Sequence, residues 1–171
     1  MSEQPAAGDE QVYRPDAGEF RAALGQFATG VTIITAVDDG EPVGVAANSF
    51  TSVSLDPPLV LFCVARSSST WPRIEKARKF AVNILGEHQK ELSGLFATKG
   101  ADRFGQTDWH LGVGGSPVLH DTLAYLDCEF WNEYDGGDHV IVVGRVLDLG
   151  LQRNAGPLLF FRGKYGRLAD A

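Results

Sequence analysis

The chain has 171 residues, 44% hydrophobic and 22% charged, which suits one globular domain with its own core. A formal net charge of −7 argues against broad nucleic-acid binding, which needs a basic face, but does not exclude a small anionic ligand held by a few cations and backbone N–H groups. Two cysteines exclude a disulfide framework, no apolar run approaches the roughly 20 residues of a membrane span, and no signal-peptide pattern opens the chain, so a cytoplasmic protein off the membrane is expected.

Residues 1–14 are polar, lack apolar periodicity and are expected to form a disordered tail ahead of a single domain over 15–168. Asp16 is a candidate helix N-cap, with Glu19 at the capping-box position. Phe20, Ala23, Leu24 and Phe27 then repeat at helical spacing, and Gly30 is the expected stop. Val31–Val37 is a β-branched strand, turned back by Asp38-Asp39-Gly40 into a strand from Val43. The stretch from Val45 to Val64 starts as a strand and turns polar at Asn48, Ser49, Thr51, Ser52 and Ser54. It is punctuated by Asp56-Pro57-Pro58 and resumes at Leu59–Ala65, apolar enough to be expected buried on both faces. Cys63 lies in this run and Cys128 in a later one, so both are expected to be buried free thiols.

Ser67-Ser68-Ser69-Thr70 precedes Trp71-Pro72, a helix-start signature, and the helix should run to about Arg78. Phe80–Leu85 is a strand, and Glu91–Ala97 a helix. Lys99–Gly115 reads as a long functional excursion. Leu123–Tyr134 and Val140–Leu149 are long strands joined by Asp135-Gly136-Gly137-Asp138-His139. Leu158–Phe161 closes the fold, with Arg162-Gly163-Lys164-Tyr165 as a tail. Strands dominate and no βαβ rhythm appears, so a mainly β protein is expected, a closed or nearly closed barrel with short peripheral helices.

Small hydroxyl and amide groups at Asn48–Ser54 suit a backbone lying against a flat, hydrogen-bonding ligand. Ordinary turn chemistry explains the composition equally well. Arg66 with four following hydroxyl residues is a candidate phosphate cradle, against simple helix capping. His139 follows a glycine turn and could bond a ligand at a barrel rim, against an incidental histidine. His88, His110 and His120 show no zinc spacing, and Walker, GxSxG and Rossmann patterns are absent. Phe104 and Tyr165 sit in polar, glycine-containing segments and are the aromatics most expected to touch a ligand.

The ordered segments Phe27–Val31, Ala47–Leu59, Phe80–Leu85, Arg103-Phe104, Gly137-Asp138-His139 and Phe161–Tyr165 resemble the flavin reductase-like family over roughly Phe20–Leu168. That resemblance implies an FMN-binding split β-barrel of Greek-key topology. It implies the reductase component of a two-component flavin-dependent monooxygenase: an NAD(P)H:flavin oxidoreductase, using FMN or FAD and NADH or NADPH. A homodimer and a separate oxygenase reached by diffusing reduced flavin are the implied partners, with no nucleic acid, membrane or metal. Carried over by position, Val31, Ala46, Ala47, Asn48 and Ser49 would border the ring. Thr51 and Ser52 would meet its edge or the polar tail. Cys63, Val64 and Ala65 would line the opposite edge, and Ser67, Ser69 and Thr70 would hold the phosphate. Lys99, Arg103 and Phe104 would approach the tail or the nicotinamide cofactor. His139 would position the nicotinamide, and Tyr165 would stand at the barrel mouth. A non-catalytic flavin-binding barrel and a pyridoxamine-phosphate-oxidase-like flavoenzyme are the alternatives.

Overall fold

The computed structural model describes residues 13–169. Asp16 caps α1 (Ala17–Leu24): its carboxylate accepts from the N–H groups of Gly18 and Glu19, and Glu19 completes the box. The helix is shorter than its apolar spacing suggests. Gly25 caps it, and Gly30 instead belongs to a two-residue strand, β1 (Thr29–Gly30), so it is not the stop. Nor does the apolar face meet the core, since no residue of α1 is buried and Phe20, Leu24 and Phe27 are more than half exposed. Most of the expected tail lies outside the described residues. Tyr13, within them, donates from its hydroxyl to Glu19 at 2.9 Å.

The β-branched run forms β2 (Thr32–Asp38) and returns as β3 (Glu41–Ala47). Asp39 and Gly40 both take positive φ, the turn whose twist matches a two-residue hairpin. The polar stretch after Asn48 contains a strand: β4 (Thr51–Leu55) pairs antiparallel with β5 (Pro58–Ala65). α2 (Trp71–Ala77), β6 (Lys79–Ile84) and α3 (Lys90–Ala97) follow in order. The glycine-rich excursion holds β7 (Trp109–Leu111), folded back on β8 (Pro117–Leu119). β9 (Ala124–Gly136) and β10 (His139–Leu151) run longer than expected, leaving Gly137-Asp138 as the whole turn, with Gly137 at φ 76°. The residues expected as a tail form a second hairpin, because β12 (Lys164–Gly166) folds back on β11 (Leu159–Phe161).

Seven strands form one antiparallel sheet in the order β3-β2-β6-β9-β10-β5-β4. In a flat sheet β3 and β5 would be separated by five strand spacings, about 24 Å. Their inward residues, Val43 on β3 and Val60, Phe62 and Val64 on β5, nevertheless share one core with Ile34, Phe80 and Val142. The sheet is therefore curled around that core, with its free edges, β3 and β4, flanking an open seam. Phe62 anchors the core, packed edge-on against Phe80 at 5.3 Å and Trp71 at 6.2 Å. Full burial of such a side chain contributes about 1.5–3 kcal/mol.

A second core lies outside β2, where Ile33, Leu85, Phe96, Leu119 and Leu158 pack together. The buried Asn83 organises it: its amide donates to Thr35 Oγ1 at 3.0 Å and Ile33 O at 3.2 Å, and its carbonyl accepts from Leu119 N at 2.8 Å. β5 departs from expectation, because only one of its faces is buried. Leu59, Leu61, Cys63 and Ala65 stay partly exposed, so Cys63 is half-buried, whereas Cys128 is fully buried.

Candidate active site

The seam forms a cleft. β3 and the residues after it supply Ala46, Ala47, Asn48 and Ser49 along one wall, and β5 supplies Phe62, Cys63, Val64 and Ala65 along the other. Ser68 and His139 complete a cavity of about 340 Å³. Ser49 clips the walls together, since its hydroxyl accepts from the Cys63 N–H and donates to the Cys63 carbonyl, both at 2.9 Å. Thr32 holds the first wall from behind by donating to Ala47 O at 2.8 Å. The alanines thus present a fixed backbone with little side-chain bulk.

Asn48 is shared with two adjoining cavities. One, of about 150 Å³, also contains Val31, Ser93, Phe160 and Tyr165. There the Tyr165 hydroxyl pairs with Ser93 Oγ at 2.9 Å, and its ring packs on Phe160. The other, of about 790 Å³, lies between α1 and the β11–β12 turn and reaches His139. His139 opens β10 opposite Ala65. Its Nδ1 lies 2.7 Å from Asp138 Oδ1. A carboxylate only accepts, so Nδ1 carries the proton and Nε2 is the nitrogen left for a ligand. The same bond holds the Asp138 carboxyl below the usual range.

The hydroxyl run is used differently from the sequence expectation. Thr70 holds the N-cap position of α2 without a side-chain cap bond, and Ser68, two residues earlier, accepts from the N–H groups of Thr70 and Trp71. Arg66 does not face a phosphate cradle. It donates to Gly137 O at 3.0 Å and Asp135 at 2.7 Å, locking the β9–β10 turn. The guanidinium beside Ser69 and Thr70 is that of Arg103, in a further cavity of about 330 Å³ that also holds Gly44, Arg73 and Phe104. Arg103 donates to Gly44 O, to Thr70 Oγ1 at 3.1 Å and to Thr98 O at 2.9 Å, while its Nε is buried without a partner. Burial pushes its pKa down from the ordinary value, yet arginine keeps its charge at working pH. Phe104 is half a core residue, packed edge-on against Phe96 at 5.2 Å and Trp109 at 5.8 Å.

The cavities therefore bring together Val31, Ala46, Ala47, Asn48, Ser49, Cys63, Val64, Ala65, Ser69, Thr70, Arg103, Phe104, His139 and Tyr165. Thr51, Ser52, Ser67 and Lys99 are exposed and line none of these four cavities. Ser68, one of the four hydroxyl residues of the candidate cradle, lines the seam cavity. Phe62, Arg73, Ser93 and Phe160 line the cavities without having been singled out, because they reach them only through tertiary packing. His110 and His120 meet at 3.0 Å, but among the described residues no group of three potential metal ligands forms. No helix among those residues is long and apolar enough to cross a membrane.

A family model described as flavin reductase like domain matches residues 24–169. The chain belongs to the flavin reductase-like family. The chain is 46% identical over 165 residues to the reductase subunit of a flavin-dependent monooxygenase from Rhodococcus jostii, covering 96% of this chain and 85% of the relative. An NADH-dependent FMN reductase from Agrobacterium fabrum is 43% identical, covering 94% of this chain and 93% of its own. Among solved structures, a nitrilotriacetate monooxygenase component B homologue from Mycobacterium thermoresistibile is 47% identical with a TM-score of 0.85, over 88% of this chain and 85% of that one. An NADH:FAD oxidoreductase from Streptomyces globisporus, solved with NAD and FAD fragments, is 39% identical with a TM-score of 0.85, over 90% and 93%. The matched flavin reductase-like domain takes in every residue of the cavity at the seam; only α1 residues of the largest cavity precede it.

Proposed function

We propose that this chain is an NAD(P)H:flavin oxidoreductase that reduces FMN or FAD for a separate monooxygenase component. The observation that carries the proposal is the seam cavity of about 340 Å³, walled by alanine backbone and carrying Asn48 and His139. The residues present fit a flavin mononucleotide unit. Ala46 and Ala47 leave room for a flat ring, and the orphaned Nε of Arg103 beside Ser69 and Thr70 suits a phosphate oxygen. Val31, Asn48, Ser49 and Cys63–Ala65 would border the ring, and Tyr165 would bound it at the mouth. Bound flavin supplies the acceptor for a hydride from the nicotinamide.

The chain itself orients the two molecules and keeps water from between them. Asp138 fixes the His139 ring so that Nε2 meets the nicotinamide carboxamide. Burial pushes the Cys63 thiol up, so at neutral pH it stays protonated and acts as wall, not nucleophile. The cleft opens to solvent, which suits an exchangeable flavin that leaves reduced and diffuses to the oxygenase. Two unpaired cysteines fit a reducing cytosol. The exposed apolar face of α1, at the edge of the cavity that reaches His139, suits a homodimer in which a second copy borders the site.

Anaerobic mixing of flavin-loaded protein with NADH, and separately NADPH, tests the activity. Bleaching of flavin absorbance is expected, and a binding module without reductase activity gives none. His139→Ala should raise the KM for the nicotinamide cofactor about tenfold, the worth of one hydrogen bond, with kcat little changed. A loss confined to kcat would sink the positioning role.

A further inference from the structure

Of the buried polar side chains among the described residues, Ser93 alone lines one of the four cavities. It sits in the middle of α3 and is 1% exposed. A helical serine ordinarily turns its hydroxyl to solvent or to a backbone carbonyl one turn earlier. Ser93 instead pairs with the Tyr165 hydroxyl at 2.9 Å, from a strand 72 residues further along the chain.

That bond fastens a lightly held part of the site. β12 is the free edge of the β1-β11-β12 sheet, in which β1 contributes only two residues. Tyr165 lies opposite Phe160 in the β11–β12 register, and the two rings pack at 5.5 Å. Phe160 lines both the cavity of about 150 Å³, with Val31, Ala46 and Asn48, and the cavity of about 790 Å³ that reaches His139. The two rings therefore stand where the residues bordering the flavin ring meet the space in front of His139. We propose that Ser93 is a positioning residue for flavin reduction: through the Tyr165 hydroxyl it fixes the Tyr165–Phe160 pair, and with it the wall against which nicotinamide and flavin ring are aligned. This rests on the flavin reading given above. Neither Ser93 nor Tyr165 lines the seam cavity or the cavity beside Arg103, so flavin affinity is set elsewhere. The bond supplies alignment, and small misplacements of reacting groups lower the rate of the step.

Ser93→Ala and Tyr165→Phe remove the bond from opposite sides, the second at a partly exposed residue where the fold is least at risk. Anaerobic stopped-flow reduction of the flavin-loaded protein, over a range of nicotinamide cofactor concentrations, separates the limiting rate from the apparent affinity. Each variant should lower the limiting rate about tenfold, the worth of one hydrogen bond, and the double variant should fall no further. FMN affinity by fluorescence titration should stay within about threefold, as should the apparent affinity for the nicotinamide cofactor, the reverse of the split expected for His139→Ala. In the flavin-free protein, urea unfolding of the two single variants and the double variant should show the same non-additivity, which reports the bond without the reaction. A limiting rate within about twofold of the parent in Tyr165→Phe overturns the inference and leaves Ser93 a packing residue of α3. A double variant that falls about a hundredfold also overturns it, since the two residues then act separately, as does a loss of FMN affinity in step with the rate. If neither NADH nor NADPH bleaches the parent protein, the proposed function falls and the inference with it; if the parent is bleached and the variants match it, only the inference falls.

Discussion

Asp127 is the residue whose chemistry and surroundings disagree most. It is fully buried on β9, its Oδ2 accepts from the Gly114 N–H at 2.5 Å, and its Oδ1 has no partner. Burial raises its pKa, with Asp148 adding to the rise, while the Gly114 and Cys128 N–H groups and Lys79 pull against it. The glycine-rich loop from Gly112 to Gly115 is the lid on this carboxyl. A Cβ at Gly112 would come within 2.5 Å of Asp127 Oδ2. The sign of the pH effect follows. A carboxyl whose folded pKa is raised contributes its stability below the unfolded value of about 3.9 and loses it as pH rises through the folded value. Asp127→Asn keeps an acceptor for Gly114 and cannot ionise. It should melt above the parent protein near about pH 7, with the gain shrinking towards about pH 4. A difference in Tm that stays constant across that range would show that ionisation is not the cause.

At the level of elements, the strands and turns with strong local signals were legible in the chain. The β-branched run of β2, the Asp39-Gly40 turn and the Asp16–Glu19 capping box each act through neighbours within a few residues. β7, β8 and β12 were not legible, because each is three residues set in a polar or glycine-containing segment with no apolar run to mark it, unlike the equally short but apolar β11, and only their partners make them strands. The site divides in the same way. Asn48, Ser49 and His139 stood out beside turns, whereas Arg103 hid its role because its partners, Gly44 and Thr70, are distant in sequence. Phe104 shows the limit of composition, since its polar neighbours suggested a ligand and its ring is also part of a core. Asn83 is the least visible of all, one amide in an apolar strand, yet it fastens the β7–β8 hairpin to the outside of β2 and β6. Asn83→Leu would leave Leu119 N without its acceptor in a buried site, while Thr35 Oγ1 keeps its bond to Pro117 O. It should cost about 2–4 kcal/mol in denaturant unfolding. A loss under about 0.5 kcal/mol, the scale of an ordinary surface change, would mean that the hairpin is held by packing alone.

The molecule as a whole leaves apolar surface that one chain does not cover. α1 has eight residues and buries none of them, although isolated helices shorter than about 12–15 residues are marginal in water even with good caps. Its capping box and the contact of Arg162 with Gln26 at 2.6 Å fix the two ends and leave Phe20, Leu24 and Phe27 to solvent. Such a face is stable when something apolar lies on it, and a stable protein interface needs about 800 Å² from each partner. The proposed second copy would cover that face, and it would also wall the 790 Å³ cavity that contains Phe20, Leu24 and His139. Phe20→Glu combined with Leu24→Glu places two carboxylates in that contact, where neither has a cationic partner on its own helix beyond Arg21. Sedimentation velocity should show the parent protein at twice the chain mass and the double variant at one chain mass. The seam cavity is built within a single chain, so flavin affinity should survive separation while the KM for the nicotinamide cofactor rises. A parent protein that sediments as a single chain at micromolar concentration would remove the dimer. A variant that loses flavin and nicotinamide affinity together would instead mark α1 as a support for the barrel itself.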